Sequence, residues 1–96
     1  MDRIARRLKE ILHPYFGDAG LLLVLREMKY LKLEPPINEL YKRERALLVE
    51  NIAEHLLQPV LSSRRLSMFR SELYYACEVS RMAEMLNKGE GAKWTG

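Results

Sequence analysis

The chain has 96 residues, 48% of them hydrophobic and 30% charged, with a formal net charge of +3. That size holds one domain around one core, and the balance is that of a globular rather than a disordered chain. A single cysteine, Cys77, excludes an internal disulfide, and no apolar run approaches the ~18 residues that suggest a membrane crossing.

The first helix is expected over residues 3–13. Ile4, Leu8, Ile11 and Leu12 form one apolar face at helical spacing, and Arg3, Arg6 and Arg7 share the opposite side. Asp2 stands where it can cap this helix or complement its dipole. Pro14 disfavours helix at His13 and cannot donate to the Glu10 carbonyl, so the helix ends or kinks there. Lys9 and Glu10 interrupt the segment and Asp2 adds acid, so it reads as the start of the domain rather than as a leader.

A second helix is expected over residues 19–32, with Asp18 as its N-cap. Leu21 to Leu25 is apolar without a gap, which marks a helix buried on all sides and central to the domain. Glu34-Pro35-Pro36 stops it, and Pro36 can open the next helix. That third helix is expected over residues 36–57, with Leu40, Tyr41, Leu47, Leu48, Ile52 and Leu56 inward and Lys42, Arg43, Glu50 and Glu54 outward. Pro59 ends or bends it, and Val60 and Leu61 tuck the connection inward.

The fourth helix starts near Ser62 or Ser63, either of which can cap it, and runs to about residue 86. Leu66, Phe69, Leu73, Ala76 and Ala83 make its stripe, flanked by Tyr75, Val79, Met82 and Leu86. Gly89 is a stop. Alternation with a period of two never persists. The fold class is therefore all-α: a compact four-helix domain, two short helices packed on a long antiparallel helical hairpin. Residues 1–88 are expected to form the domain and residues 89–96 a flexible C-terminal tail.

Gly17-Asp18-Ala19-Gly20 lies between the first two helices. A G-x-x-G turn clamps nucleic-acid phosphates in KH domains, but those need a sheet, and Asp18 would repel a phosphate. A structural corner fits better. Gly17 supplies a positive φ, Gly20 permits close helix approach, and Tyr15 and Phe16 anchor the corner.

Basic residues are the second candidate. Arg64 and Arg65 fall in a first helical turn, where cations oppose the dipole. With Arg70 and with Arg3, Arg6 and Arg7 they could bind phosphate; Lys42, Arg43 and Arg45 could extend the patch. Glu39, Glu44 and Glu50 are interleaved, which makes exposed ion pairs an equal explanation. A Pro-Pro turn argues against a helix-turn-helix.

His13 and His55 are the only histidines, and Asn51 and His55 share a face at a spacing of four. No H-x₃₋₅-H or C-x-x-C spacing exists, so neither a metal nor another cofactor is expected. Cys77 reads as a small core residue. No nucleophile–base set or phosphate-binding glycine loop is present, so no catalytic residue is assigned. Met68, Tyr74, Tyr75 and Met85 exceed what a core of this size can hide, and Trp94 is an anchor on the tail. These suit a partner-binding surface.

The pattern L-x-x-I-L-x-P-Y-F-G-x-A-G-x-L-L, from Leu8 to Leu23, resembles the start of small helical modules of archaea and some bacteria. Those modules occur alone or appended to signalling proteins and have no assigned chemistry. The resemblance covers the first two helices and implies no functional residue.

The chain is thus expected to be a cytoplasmic, non-catalytic adaptor or accessory subunit that binds another protein chain, in a homodimer or a larger complex, and no membrane. The alternative is a nucleic-acid-associated accessory protein of a replication or transcription machine. An enzyme or metal protein comes third.

Overall fold

A computed structural model of the chain describes residues 2–79, and all their regular structure is helical, with no strand among them. In order come α1 (Arg3–Phe16), a 3₁₀ turn (Gly17–Ala19), α2 (Gly20–Tyr30), a second 3₁₀ turn (Ile37–Glu39), α3 (Lys42–Asn51), a π-helical turn (Ile52–Leu57) and α4 (Ser63–Ala76). None of these helices is long and apolar enough to cross a membrane. The Gly89 stop and the tail at residues 89–96 lie outside the described residues.

One core holds the elements together. Ile4, Leu8 and Leu12 of α1 are fully buried, as their spacing requires. They meet Val24 and Met28 of α2, Leu48, Val49, Ile52 and Leu57 of the α3–π segment, and Leu73 of α4. Each such side chain contributes roughly 1.5–3 kcal/mol on leaving water. Arg3 reaches Glu78 beyond the end of α4, while Tyr15 packs edge-on against Phe69 at 5.3 Å, so α1 and α4 run antiparallel. Among the described residues the expected long hairpin is not formed: α3 with the π-helical turn that continues it spans residues 42–57, and α4 has 14 residues, the same as α1.

Pro14 does not end α1, which continues to Phe16. Proline's cost falls on the Glu10 carbonyl one turn back, while Phe16 packs on the core, Tyr15 packs on Phe69 and Gly17 closes the helix by donating to His13 O. Gly17 has φ +56, where a side chain would be strained. A Cβ on Gly20 would lie 3.2 Å from Leu12 Cβ, the close approach of α2 to α1. Asp18 is not the N-cap of α2. A 3₁₀ turn intervenes, Ala19 occupies the cap without a side-chain bond, and the Asp18 side chain is 97% exposed.

Nor is α2 buried on every side. Leu22 and Tyr30 are exposed, and among the described residues α2 packs chiefly against α1 and the α3–π segment.

The expected third helix is broken at Leu40 and Tyr41, which are extended. Side chains satisfy this backbone in place of helical bonds. Asp2 Oδ1 accepts from Ala5 N at 3.1 Å, capping α1, and from Asn38 N at 3.3 Å; Oδ2 accepts from Ile37 N. Asn38 Oδ1 in turn accepts from Ile4 N at 3.0 Å. Glu44 accepts from Tyr41 N at 2.9 Å, and Arg45 donates to Leu40 O at 3.1 Å. Pro36, joined to Pro35 by a cis bond, precedes the 3₁₀ turn rather than opening a helix. Tyr41 and Leu47 are consequently exposed instead of inward. Val60 is exposed too, and only Leu61 turns toward the core.

Ser62 caps α4, its Oγ accepting from Arg65 N. The helix stops at Ala76, ten residues short of the expected residue 86. Val79 N donates to Tyr74 O and Glu78 N to Tyr75 O, a Schellman closure with Glu78 at φ 57. The same closure ends α2: Leu33 N bonds Met28 O, Lys32 N bonds Lys29 O, and Lys32 has φ 60. Glu78 has ion pairs that compensate its strained backbone, whereas exposed Lys32 has none among the described residues. Lys32→Gly is therefore expected to stabilise the domain by roughly 0.5–1 kcal/mol, read as a higher urea midpoint at unchanged slope.

Candidate functional site

One buried acid organises the most chemically loaded part of the molecule. Glu27 lies on the inner face of α2 with Gly20, Val24 and Met28, and is 5% exposed. Its Oε1 meets His55 Nδ1 at 2.6 Å and accepts from Asn51 Nδ2 at 3.4 Å. Asn51 and His55 do share a face, and what they share it around is this carboxylate. The Tyr30 ring packs edge-on against the imidazole at a centroid distance of 5.7 Å. His55 sits in the π-helical turn, where Gln58 N bonds back to Ala53 O and the helix widens before Pro59. Its side chain is 45% exposed. The sequence reading missed Glu27. Its signal was a lone acid at the apolar spacing of α2, three residues after Val24.

His13 contrasts with it. Its Nε2 lies 3.9 Å from Asp18, and both side chains are largely exposed. No group of three or more metal-ligating side chains occurs among the described residues. Burial pushes the Cys77 thiol up to about 12, so it carries no thiolate at neutral pH.

The arginines do not form one patch. Arg3 and Arg7 both grip Glu78, at 2.8 and 3.1 Å. Hydrogen bonds from Arg3 chiefly hold that carboxyl below its ordinary range. Arg70 is half-buried with its Nε 3.5 Å from Glu50. Arg64 and Arg65 are exposed, but they lie at the opposite end of α4 from Glu78, roughly 20 Å along its axis. Arg6 is exposed and belongs to the α1 group.

The apolar surplus is partly resolved. Tyr74 is not surplus: it is 3% exposed, and its hydroxyl donates to Glu50 Oε2. Met68 and Tyr75 are 62% and 84% exposed and stand seven residues apart on one face of α4. Tyr75 walls a groove of about 420 Å³ between α1 and α4, which Ile11 and Ala76 line with the charged Arg7, Glu10 and Glu72. Glu10 and Glu72 pair with no cation among the described residues. Met85 and Trp94 lie outside the described residues. Tyr15, Phe16, Gly17, Asp18 and Gly20 form the α1–α2 corner and contribute nothing to this groove.

Comparison with protein-family models, with curated proteins and with solved structures finds no match.

Proposed function

We propose that the chain is a non-catalytic, four-helix interaction protein, an adaptor or accessory subunit that docks a basic amphipathic helix of another protein chain on its α1–α4 face. The observation that carries this reading is Tyr75, 84% exposed beside the α1–α4 groove and in line with Met68. A large aromatic ring left in water beside an apolar groove is the kind of anchor that dominates binding energy. An amphipathic helix laid in such a groove covers Tyr75, Met68 and Ile11 with its apolar face. Glu10 and Glu72 rim the groove from opposite helices and pair with no cation among the described residues, while Arg7, which also lines it, is held by Glu78, so the flanks of that helix are basic.

A labelled Leu–Lys amphipathic peptide, followed by fluorescence anisotropy, tests the reading. Tyr75→Ala is expected to weaken binding at least about tenfold, and Tyr41→Ala, at an exposed tyrosine of α3's leading edge, to leave it unchanged. Equal affinities for the two variants would sink the assignment. The nucleic-acid alternative finds less support, because Arg3, Arg7 and Arg70 already face carboxylates.

A further inference from the structure

The two nitrogens of the His55 ring are not equivalent. A carboxylate only accepts, so with Glu27 ionised Nδ1 holds the ring proton and donates it to Oε1 at 2.6 Å. The lone pair then belongs to Nε2, and Nε2 has no hydrogen-bond partner among the described residues. A buried carboxylate behind an imidazole fixes its tautomer and orients the ring. Asn51 steadies the same carboxylate and Tyr30 packs beside the ring, which remains half-exposed.

Two exposed charges neighbour the ring: Glu54 precedes His55 in the π-helical turn and is rotated roughly 80–100° away from it, and Arg26 lies on α2. Arg26 precedes Tyr30 by one helical turn, so it lies on the stripe of α2 that carries the ring packed on His55. Arg26 is exposed and pairs with no carboxylate among the described residues. A guanidinium there repels a metal ion and attracts a phosphoryl dianion. We propose that His55 is a phosphoryl-acceptor site: Nε2 is the nucleophile, Glu27 holds the Nδ1 proton and Arg26 faces the phosphoryl oxygens.

The step balances without a further proton. The Nε2 lone pair attacks the phosphorus of an acyl phosphate and forms the N–P bond. The P–O bond breaks, and the carboxylate leaves with its electron pair. The ring becomes an N-phosphorylated imidazolium that keeps its Nδ1 proton, and the Glu27 carboxylate lies against that new positive charge. Occupation of the site adds negative charge to the α2 surface, away from the α1–α4 groove. The inference is thus independent of the docking reading.

Phosphoramidate is a suitable probe, because its P–N bond breaks in the same way and releases ammonia. The whole chain is incubated with it, and the phosphorylated histidine is located by mass spectrometry under alkaline conditions. His13 serves as the internal standard: its ion-pair partner among the described residues is an exposed Asp18 at 3.9 Å, and no carboxylate is buried behind its ring. His55 is expected to acquire the group about tenfold faster than His13, and Glu27→Gln to bring the two rates together. Arg26→Ala is expected to slow phosphorylation while leaving the reaction of His55 with uncharged diethyl pyrocarbonate unchanged. Labelling of His13 at an equal or greater rate in the unaltered protein overturns the proposal, whatever the variants do. An Arg26→Ala protein phosphorylated at the unaltered rate overturns the phosphoryl assignment.

Discussion

Asp2→Ala is expected to destabilise the domain by about 2–3 kcal/mol, a substantial fraction of the roughly 5–15 kcal/mol that holds such a domain folded. Removing an ordinary N-cap costs about 1 kcal/mol, but Asp2 does more than cap. Its carboxylate accepts from Ala5 N, Ile37 N and Asn38 N, so it joins the start of α1 to a turn 35 residues away in sequence. Alanine leaves those amides without the partner that holds the Pro35-Pro36 segment in place. Urea unfolding followed by circular dichroism reads the loss directly, and Asp2→Asn, which keeps one acceptor oxygen, is expected to lose less than half as much. A cost for Asp2→Ala below about 0.5 kcal/mol would mean that the clasp does not hold the two segments together.

Substitutions at Glu27 are expected to diverge sharply. Glu27→Ala is expected to cost about 2–4 kcal/mol, because it opens a cavity under the α3–π segment. Glu27→Met fills the same space and removes a carboxylate that is 5% exposed. Asn51 and His55 are not fully buried and can turn to water. Replacing a buried ionic group with an apolar one of similar volume is often neutral or stabilising, so Glu27→Met is expected to cost less than about 1 kcal/mol. Thermal unfolding of the two variants checks this. A methionine variant as damaged as the alanine one would make the Glu27–His55 bond a stability device and nothing more.

The legible parts of the fold were those decided locally. Ile4, Leu8 and Leu12 advertise a buried stripe at four-residue spacing, and all three are fully buried. Asp2 and Ser62 are recognisable caps, and Gly17 a recognisable corner. What the sequence concealed depends on partners distant in the chain. The break at Leu40–Tyr41 comes from Asp2, Glu44 and Arg45 taking backbone bonds that a helix would have used. Glu78 ends α4 in a left-handed conformation usually left to glycine, and its carboxylate meets Arg3 and Arg7 across the domain. No local pattern announces either.

The candidate surfaces divide in the same way. Met68 and Tyr75 stood out as surplus apolar residues, and both are exposed. Tyr74 looked equivalent by composition, yet one position along the helix turns it by about 100° into the core, where Glu50 receives its hydroxyl. Asn51 and His55 were visible as a pair on one face. The acid between them was hidden because Glu27 falls 24 and 28 residues away, within a helix that reads as apolar.

The most direct test of the docking function is a nuclear magnetic resonance titration of the ¹⁵N- and methyl-labelled chain with the basic amphipathic peptide. Shifts concentrated at Ile11, Met68, Tyr75 and Ala76, saturating together with a single affinity, are the predicted result. Shifts confined to the α2 face around Leu22 and Tyr30, or spread evenly over acidic side chains without saturating, would contradict the assignment of the α1–α4 face as the partner site.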